Sequence, residues 1–270
     1  MSGRVAGKVA IVTGAGSRGP GIGNGRATAV VLAREGARVI AVDRERGWLD
    51  QTLRLVEEAG GEAQPAVADV AEESGCEAVV AAAVERWGRV DVLVNNVGVS
   101  GPPGTAVDVD LAAWDEGMRV NVKSMVLMAR HAIPEMKKVG AGAIVNISSI
   151  TALVGGHPAL LYPTSKGAVI SMTRAMAAHH GRDGIRVNCV CPGFMFTPMV
   201  EAEGMTEEMR ESRRLSSLLE VEGTGWDVAA AVLWLAADES RFVTGVVLPV
   251  DAGTTAGMRM TVPHTGRGGA

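Results

Sequence analysis

Cysteine, aromatic residues and long apolar runs are scarce in this sequence, and each scarcity excludes a class of protein. Three cysteines, Cys76, Cys189 and Cys191, cannot form a disulfide framework and lack partners at metal-ligand spacing. We therefore expect buried thiols, no metal site and a reducing, cytoplasmic compartment. Only 3% of the residues are aromatic, so the core must consist of Val, Ala, Leu and Ile.

Charge and hydrophobic pattern exclude two further kinds of partner. No apolar run is long enough to cross a membrane, and the N-terminal segment has no hydrophobic signal sequence. A net charge of −4 argues against a surface for nucleic acid. The partner that we expect is a small molecule, with neither membrane nor nucleic acid involved.

Short apolar runs alternate with longer segments of helical period along the chain. This alternation predicts βαβ units, and therefore an α/β protein with a single Rossmann-type, doubly wound parallel sheet of about seven strands and helices on both faces. No linker or repeat divides residues 1–270, which we expect to form one domain. The predicted strands are Val9–Thr13, Val39–Val42, Ala66–Ala68, Val92–Asn95, Ala143–Ile147, Ile185–Val190 and Val246–Val250. The predicted helices are Gly25–Glu35, Trp48–Ala59, Cys76–Trp87, Leu111–Val139, Thr164–Gly181 and Thr224–Ala237.

Two segments interrupt this alternation. Residues 197–223 are charged and contain methionine, and they stand where a loop at the end of the sheet is expected, so they predict a mobile lid. Residues 254–270 are Gly-rich and polar, which predicts a C-terminal tail.

A glycine-rich segment, Thr-Gly-Ala-Gly-Ser-Arg-Gly-Pro-Gly-Ile-Gly-Asn-Gly, joins the first predicted strand to the first predicted helix. Backbone amides at a helix start can bind a pyrophosphate, and glycine lets the phosphate approach closely. Asp43 ends the second predicted strand twenty residues after Gly23, the distance expected of an acid that bonds a ribose hydroxyl. Together these features predict a dinucleotide site. Asp43 would repel a 2′-phosphate and so favours NAD over NADP, a preference that Arg18 and Arg44 weaken.

The only tyrosine, Tyr162, precedes Lys166 by four residues, so both side chains lie on one face of a helix. A neighbouring ammonium stabilises a phenolate and lowers the pKa of a phenol toward a useful range for proton transfer. Ser149 lies thirteen positions before Tyr162, at the end of a predicted strand. Hydroxyl, phenol and lysine in this order predict proton transfer at a carbonyl oxygen. Ser148 is the alternative hydroxyl, but its spacing to Tyr162 is less suitable.

With these residues in place, the chain resembles the short-chain dehydrogenase/reductase family over about residues 6–255. Further matching motifs are Asp69-Val70, Asn95-Asn96-Val97-Gly98, Asn121, Pro192-Gly193, Thr197 and Asp251-Ala252-Gly253. The resemblance implies that Asn121 holds a water in a proton relay through Lys166, and that Lys166 also bonds the nicotinamide ribose. It implies cofactor contacts by Gly14, Ser17, Ile22, Gly23, Gly25, Asp43, Asp69, Val70, Asn95, Gly98, Tyr162, Lys166, Pro192, Gly193 and Thr197.

The glycine segment departs from the family pattern Thr-Gly-x3-Gly-x-Gly. Counting back from Gly36 puts Gly23-x-Gly25 in place of the family's Gly-x-Gly, which implies about five extra residues in the loop. Gly21-Ile22-Gly23 matches the residue types of the family motif but would lengthen the first predicted helix, so both registers remain open. Val97 replaces the usual alanine, and Pro163 follows Tyr162 in a first helical turn, where proline is tolerated.

The function that these features predict is reversible hydride transfer between a secondary alcohol and its ketone with NAD, or less favourably NADP. Tyr162 is the expected acid/base, Ser149 the donor to the substrate oxygen and Lys166 the group that lowers the pKa of the phenol. Two alternatives are an enoyl reductase, which the short Tyr-Lys spacing disfavours, and a non-catalytic nucleotide sensor, which would not need Ser149, Tyr162 and Lys166 together. The resemblance also implies a homotetramer built on the helices predicted at Leu111–Val139 and Thr164–Gly181.

Overall fold

A computed structural model describes residues 3–19, 21–202 and 204–257 of the chain. In this part the strands are β1 (Val9–Thr13), β2 (Arg38–Asp43), β3 (Glu62–Val67), β4 (Val92–Asn95), β5 (Gly142–Ile147), β6 (Ile185–Pro192), β7 (Met195–Phe196), β8 (Gly223–Thr224) and β9 (Val247–Val250). The α-helices are α1 (Asn24–Arg34), α2 (Arg46–Glu58), α3 (Glu73–Trp87), α4 (Leu111–Met118), α5 (Ser124–Val139), α6 (Leu161–His180), α7 (Pro198–Ala202), α8 (Glu207–Leu215) and α9 (Gly225–Ala236). Shorter turns are a π-helical turn at Arg119–Lys123 and 3₁₀ turns at Ile150–Ala152, Gly181–Asp183 and Asp238–Ser240.

Seven parallel strands form one sheet in the order β3-β2-β1-β4-β5-β6-β9. The order reverses between β1 and β4, as in a doubly wound sheet, and this confirms the predicted Rossmann-type α/β fold. Ligands of such sheets bind beyond the carboxyl ends of the strands at the reversal point.

Alternating side chains of the central strands bind the two helical layers to the sheet. In β1, Ala10 and Val12 belong to the core shared with α1 and α9, whereas Val9 and Ile11 belong to the core shared with α3 and α5. Because both faces are covered, central strands consist of continuous apolar residues, and all of β1 is buried. Val, Ala, Leu and Ile dominate both cores, as predicted.

The main departures from the predicted bounds occur in two elements and have identifiable reasons. The third strand is Glu62–Val67 rather than Ala66–Ala68, because Pro65 and its polar neighbours hid a strand that lies at the edge of the sheet. The helix predicted over Leu111–Val139 contains a π-helical turn at Arg119–Lys123 between α4 and α5. A π-helical turn adds one residue without interrupting the apolar pattern, so periodicity alone does not show it.

The segment predicted as a loop-like lid contains two helices, α7 and α8. Thr206 caps α8 by accepting a hydrogen bond from the Met209 amide, and acidic residues in the first turn and basic ones in the last turn suit the helix dipole. The α8 helix has no buried residue and is held by its arginines. Arg210 pairs with Glu222 and lies 4.0 Å above the Phe196 ring, while Arg213 lies 5.0 Å above the Phe194 ring.

Only the beginning of the predicted C-terminal tail is described. Asp251 accepts hydrogen bonds from Gly253 and Thr255, so residues 251–255 form a compact turn. Residues 258–270 of the predicted tail lie outside the described residues. Within the described ranges, no helix is both long and apolar enough to span a bilayer.

Candidate active site

The predicted functional residues gather beyond the carboxyl ends of the central strands. The glycine segment follows β1, Asn96 to Gly98 follow β4, Ser149 follows β5, and Gly193 follows β6. Since all these strands are parallel, their carboxyl ends meet at one edge of the sheet, at the reversal of strand order. Sequence motifs that are far apart in the chain therefore lie together at this edge of the sheet.

Ser148 and Ser149 differ clearly in what their hydroxyls contact. The Ser148 hydroxyl donates a 2.7 Å bond to the carbonyl of Lys166, so it fastens β5 to α6. The Ser149 hydroxyl instead accepts bonds from the amide and the hydroxyl of Thr151, at 3.2 and 3.0 Å. Both contacts are made to Ser149 as an acceptor, which leaves its own proton for a substrate oxygen. The geometry favours Ser149 as the functional hydroxyl.

Tyr162 and Lys166 lie in the first turns of α6, as their spacing predicts. The Lys166 ammonium lies 5.7 Å from the centroid of the Tyr162 ring. The Tyr162 ring also lies 5.3 Å from the His157 ring, and Nδ1 of that histidine contacts the backbone of Ala159. His157 is therefore a neighbour of the tyrosine.

Lys166 is buried, which is unusual for a lysine. Its ammonium donates a 3.0 Å bond to the carbonyl of Ile147, the last residue of β5. A Cβ added to Gly98 would lie 3.1 Å from this nitrogen, so the glycine makes room for it. Burial lowers the pKa of Lys166 from 10.5 to about 8.

Asn121 is fully buried in the π-helical turn and joins three elements. Its Oδ1 accepts a 2.8 Å bond from the Val99 amide, and its Nδ2 donates to the Val99 carbonyl and to the Ser165 hydroxyl. The Ser165 hydroxyl donates in turn to the Tyr162 carbonyl. Asn121 thus connects the segment after β4 to the start of α6. Local π-helical turns often mark functional sites.

The glycine segment settles which of the two registers the chain adopts. Gly23 directly precedes α1, and Gly25 is its second residue. A Cβ on Gly25 would lie 2.0 Å from the Gly14 carbonyl oxygen, so only glycine allows α1 to approach β1 here. Gly23-x-Gly25 therefore takes the place of the Gly-x-Gly pair. Gly14 itself has a positive φ of 63°.

Two asparagines after β4 have different surroundings. Asn96 donates to the carbonyls of Thr13 and Gly14, at 3.2 and 3.1 Å, and so fixes the start of the glycine segment. Asn95 is buried inside the sheet and donates to Asn146 on β5. The side chain of Asn95 therefore links β4 to β5, and Asn96 is the neighbour that touches the loop. In the sequence, Asn96 stands out only as part of the motif Asn95-Asn96-Val97-Gly98.

The predicted adenosine contacts lie on β2 and after β3. Asp43 accepts a 3.0 Å bond from the Gly16 amide, and burial raises the pKa of its carboxyl group. Asp69 is exposed and accepts a 2.9 Å bond from the Ala71 amide, whereas Val70 is buried, so its side chain packs inward. Arg18 lies 5.8 Å from the Trp48 ring, close to the end of β2.

The predicted nicotinamide border follows β6. Pro192 is buried, and the Gly193 amide donates a 2.8 Å bond to the Val250 carbonyl of β9. A Cβ on Gly193 would lie 2.7 Å from Cα of Asp251, so the two strand ends touch at this glycine. Thr197 directly precedes α7, where its carbonyl accepts a bond from the Glu201 amide.

The start of α1 fits the pyrophosphate of a nicotinamide dinucleotide. Gly23 offers no side-chain cap, and the first turn has no acidic residue. Among the described residues, none accepts a hydrogen bond from the amides of Ile22, Gly23 or Asn24. A Cβ on Gly23 would meet only Ser17, at 3.7 Å or more. Free amides, open space and a positive helix end are what an anion requires.

All three cysteines are buried and free, as predicted. Burial raises the pKa of Cys76 to about 12. Cys189 and Cys191 point to the same face of β6, and their mutual hydrogen bond, together with burial, raises the pKa of Cys189. These thiols are packing groups behind the site.

Known proteins match nearly the whole chain. A family model described as "Enoyl-(Acyl carrier protein) reductase" matches residues 19–255. A short-chain dehydrogenase/reductase structure from Burkholderia xenovorans is 44% identical, with a TM-score of 0.91 and coverage of 95% of this chain and 100% of that one. The 7alpha-hydroxysteroid dehydrogenase of Clostridium sardiniense is 40% identical, over 94% of this chain and 95% of its own length. Carveol dehydrogenase from Mycobacterium avium, solved in complex with NAD, is 32% identical, with a TM-score of 0.87 and coverage of 94% and 100%.

Proposed function

This chain belongs to the short-chain dehydrogenase/reductase family, and we propose that it interconverts a secondary alcohol and its ketone with NAD. One observation carries the proposal: the buried Lys166 ammonium lies beside the ring of the only tyrosine, 5.7 Å from its centroid. The Ser149 hydroxyl follows the same strand end that this ammonium contacts. Tyr162 can thus donate or accept a proton, and Ser149 can donate a hydrogen bond to a developing oxyanion. Both lie beside the dinucleotide-binding loop.

Each of these residues has a distinct task in the proposed reaction. In the oxidation direction, Tyr162 accepts the proton of the substrate hydroxyl, and in the reduction direction it returns that proton. The Lys166 ammonium favours the phenolate form, and Ser149 donates to the substrate oxygen, where negative charge develops. Asn121 extends the proton path toward Lys166. When bound, a nicotinamide would supply or take up the hydride, chemistry that no side chain of the protein offers.

The cofactor that Asp43 favours is NAD. Its carboxylate ends β2, where a ribose hydroxyl would be bonded and a 2′-phosphate would be repelled. A related carveol dehydrogenase has been solved with NAD. The phosphates would be held by the amides at the start of α1, with Gly14, Ser17, Ile22, Gly23 and Gly25 forming the cradle. The adenosine side and the centre of the cofactor would be supported by Asp69, Val70, Asn95 and Gly98. Its nicotinamide would be bordered by Pro192, Gly193 and Thr197.

The substrate class that the surroundings favour is an apolar, cyclic secondary alcohol. Four large apolar side chains near the site remain more than a third exposed: Leu153, Val154, Leu160 and Phe194. Relatives named for a hydroxysteroid and for carveol act on alcohols of this kind.

We further propose a cytoplasmic homotetramer, for which α4, α5 and α6 would supply the contacts. A mass from sedimentation or light scattering tests the tetramer.

Reduced-nicotinamide absorbance tests the proposal directly. Wild-type protein should reduce NAD with cyclic secondary alcohols, and Tyr162→Phe should lower kcat by roughly 100- to 10,000-fold because the proton acceptor is lost. Cofactor binding should persist in the variant, since the aromatic ring remains and only the hydroxyl is lost. Turnover that survives Tyr162→Phe would remove Tyr162 from the acid/base role. Cofactor binding without turnover of any alcohol or ketone would favour a nucleotide sensor.

An enoyl reductase is the second candidate, because the matching family model carries that description. Tyr162 and Lys166 are only four residues apart, which disfavours reduction of a carbon–carbon double bond. Offering a cyclic enone and the corresponding saturated ketone with NADH separates the two reactions. Faster reduction of the double bond than of the ketone would overturn the alcohol dehydrogenase assignment.

A further inference from the structure

The α1 helix contains a buried arginine that the proposed reaction does not use. Arg26 is 1% exposed and follows Gly25 directly. Its guanidinium donates to the carbonyls of Gly19 and Gly21, at 3.0 and 2.5 Å, and within 3.5 Å to that of Ser17. On the other side it bonds three groups of α2: the Trp48 carbonyl, the Gln51 amide oxygen and the Thr52 hydroxyl. The side chain therefore joins the lengthened glycine segment to α2.

All these acceptors are neutral, which is unusual for a buried cation. No carboxylate of the described residues lies within 4.0 Å of the Arg26 nitrogens. Burial lowers the pKa of Arg26, and only the more distant Asp43 opposes this effect. A buried charge without an adjacent counter-ion is costly. A dianionic ligand nearby would supply that counter-charge.

The hydrogen bonds of Arg26 also orient the peptides of the glycine segment. In a trans peptide the carbonyl and the amide of the next residue point in opposite directions. Because the Gly21 carbonyl points at the guanidinium, the Ile22 amide points away from it. Ile22 and Gly23 are among the residues whose amides lack an acceptor in the described part of the chain. The arginine thus holds the Ile22 amide on the side opposite to itself.

We propose that Arg26 is the positioning residue of the pyrophosphate site, because its guanidinium orients the lengthened glycine segment and supplies the counter-charge for the two phosphates. This inference rests on the proposed use of a nicotinamide dinucleotide. Arg26 acts through the loop amides and through its field, without direct contact to the ligand. It explains how a segment with about five extra residues still presents its amides at the start of α1.

Binding of ligands with and without a diphosphate tests this role. Arg26→Met should raise the Kd for NADH and for ADP at least about tenfold, which corresponds to about 1.4 kcal/mol. The Kd for adenosine should change by less than about twofold, because Asp43 and the adenine side are untouched. Arg34→Met makes the same chemical change at an exposed position in the last turn of α1 and should leave all three values unchanged.

Arg26→Lys and Arg26→Gln keep the test decisive if the methionine variant does not fold. Both remove most of the loop hydrogen bonds, but only lysine keeps the positive charge, so Arg26→Lys should bind ADP more tightly than Arg26→Gln. Equal ADP binding by these two variants, or equal weakening of ADP and adenosine in Arg26→Met, would overturn the inference. Wild-type protein that binds neither NADH nor ADP would overturn both the inference and the proposed function.

Discussion

The electrostatic surroundings of Lys166 differ strongly from those of an ordinary surface lysine. Its ammonium is buried beside Tyr162 and bonds one carbonyl oxygen, and its pKa is lowered to about 8. Burial of the charged form of this lysine costs folding free energy, and in the proposed reaction that charge favours the phenolate of Tyr162. The free energy of unfolding of the cofactor-free protein should therefore depend on pH in a way that reflects this cost.

We expect Lys166→Met to remove this pH dependence of the free energy of unfolding. Below pH 8 the lysine is charged in both the folded and the unfolded chain, so its burial penalty is constant. Between pH 8 and 10.5 only the unfolded chain holds the proton, so wild-type stability rises relative to the variant, by about 3 kcal/mol in total. Urea unfolding of both proteins across this pH range measures the difference. A difference that stays flat or falls with pH would contradict the lowered pKa.

Residue identities at the site were predictable because their chemistry is local. The sequence placed Ser149, Tyr162 and Lys166 at a strand end and a helix start, and the structure has them there. Arg26 and Asn96 were not predicted, because their roles depend on loop carbonyls whose direction no spacing shows. The only sequence signal for Arg26 is a charge within the otherwise apolar, buried stretch of α1.

At the scale of elements, α1 and β1 approach each other more closely than a side chain would permit. We expect Gly25→Ala to lower the free energy of unfolding by about 2–3 kcal/mol, because its Cβ would overlap the Gly14 carbonyl oxygen and neither backbone can move freely. Dinucleotide affinity should fall as well, since the Gly14 turn shifts. Denaturant unfolding and NADH fluorescence measure the two effects.

Gly181→Ala is the matched control for this substitution. Gly181 is exposed, has helical backbone angles, and no atom lies within 4 Å of an added Cβ. Alanine should therefore be neutral or add up to about 1 kcal/mol of stability. Equal effects of the two substitutions would show that the close approach of α1 to β1 is not what requires glycine.

Element boundaries were predictable where the apolar period is unbroken and were missed where local rules interfere. The bounds of β1 and β4 agree with the prediction, since both are continuous apolar runs. The π-helical turn around Asn121 and the α8 helix were not predicted. In α8 the cap at Thr206 was a usable signal, but the helix buries no apolar face, so periodicity does not show it.

Across the whole molecule, stability should be concentrated in the central strands and lowest in α8. Its side chains are not buried, and Arg210 links it to Glu222 and to the Phe196 ring. We expect α8 amides to exchange with deuterium by local opening, and β1 and β4 amides only by global unfolding. Hydrogen exchange followed by mass spectrometry of peptides resolves the two regions.

Arg210→Met should accelerate exchange in α8 without changing it in β1. Arg86→Met, at an exposed position in the last turn of α3, should change neither region. Exchange in α8 as slow as in β1 would contradict local opening and with it the predicted mobile lid.

Pro65 in β3 determines where the sheet stops. Its ring nitrogen cannot donate a hydrogen bond, and β3 is the outermost strand on that side, with exposed Glu62 and Gln64 as neighbours. A foreign strand would find an incomplete template there, which guards this edge against aggregation. We therefore expect any assembly that prolongs the sheet from one copy to the next to use the opposite edge, along β9.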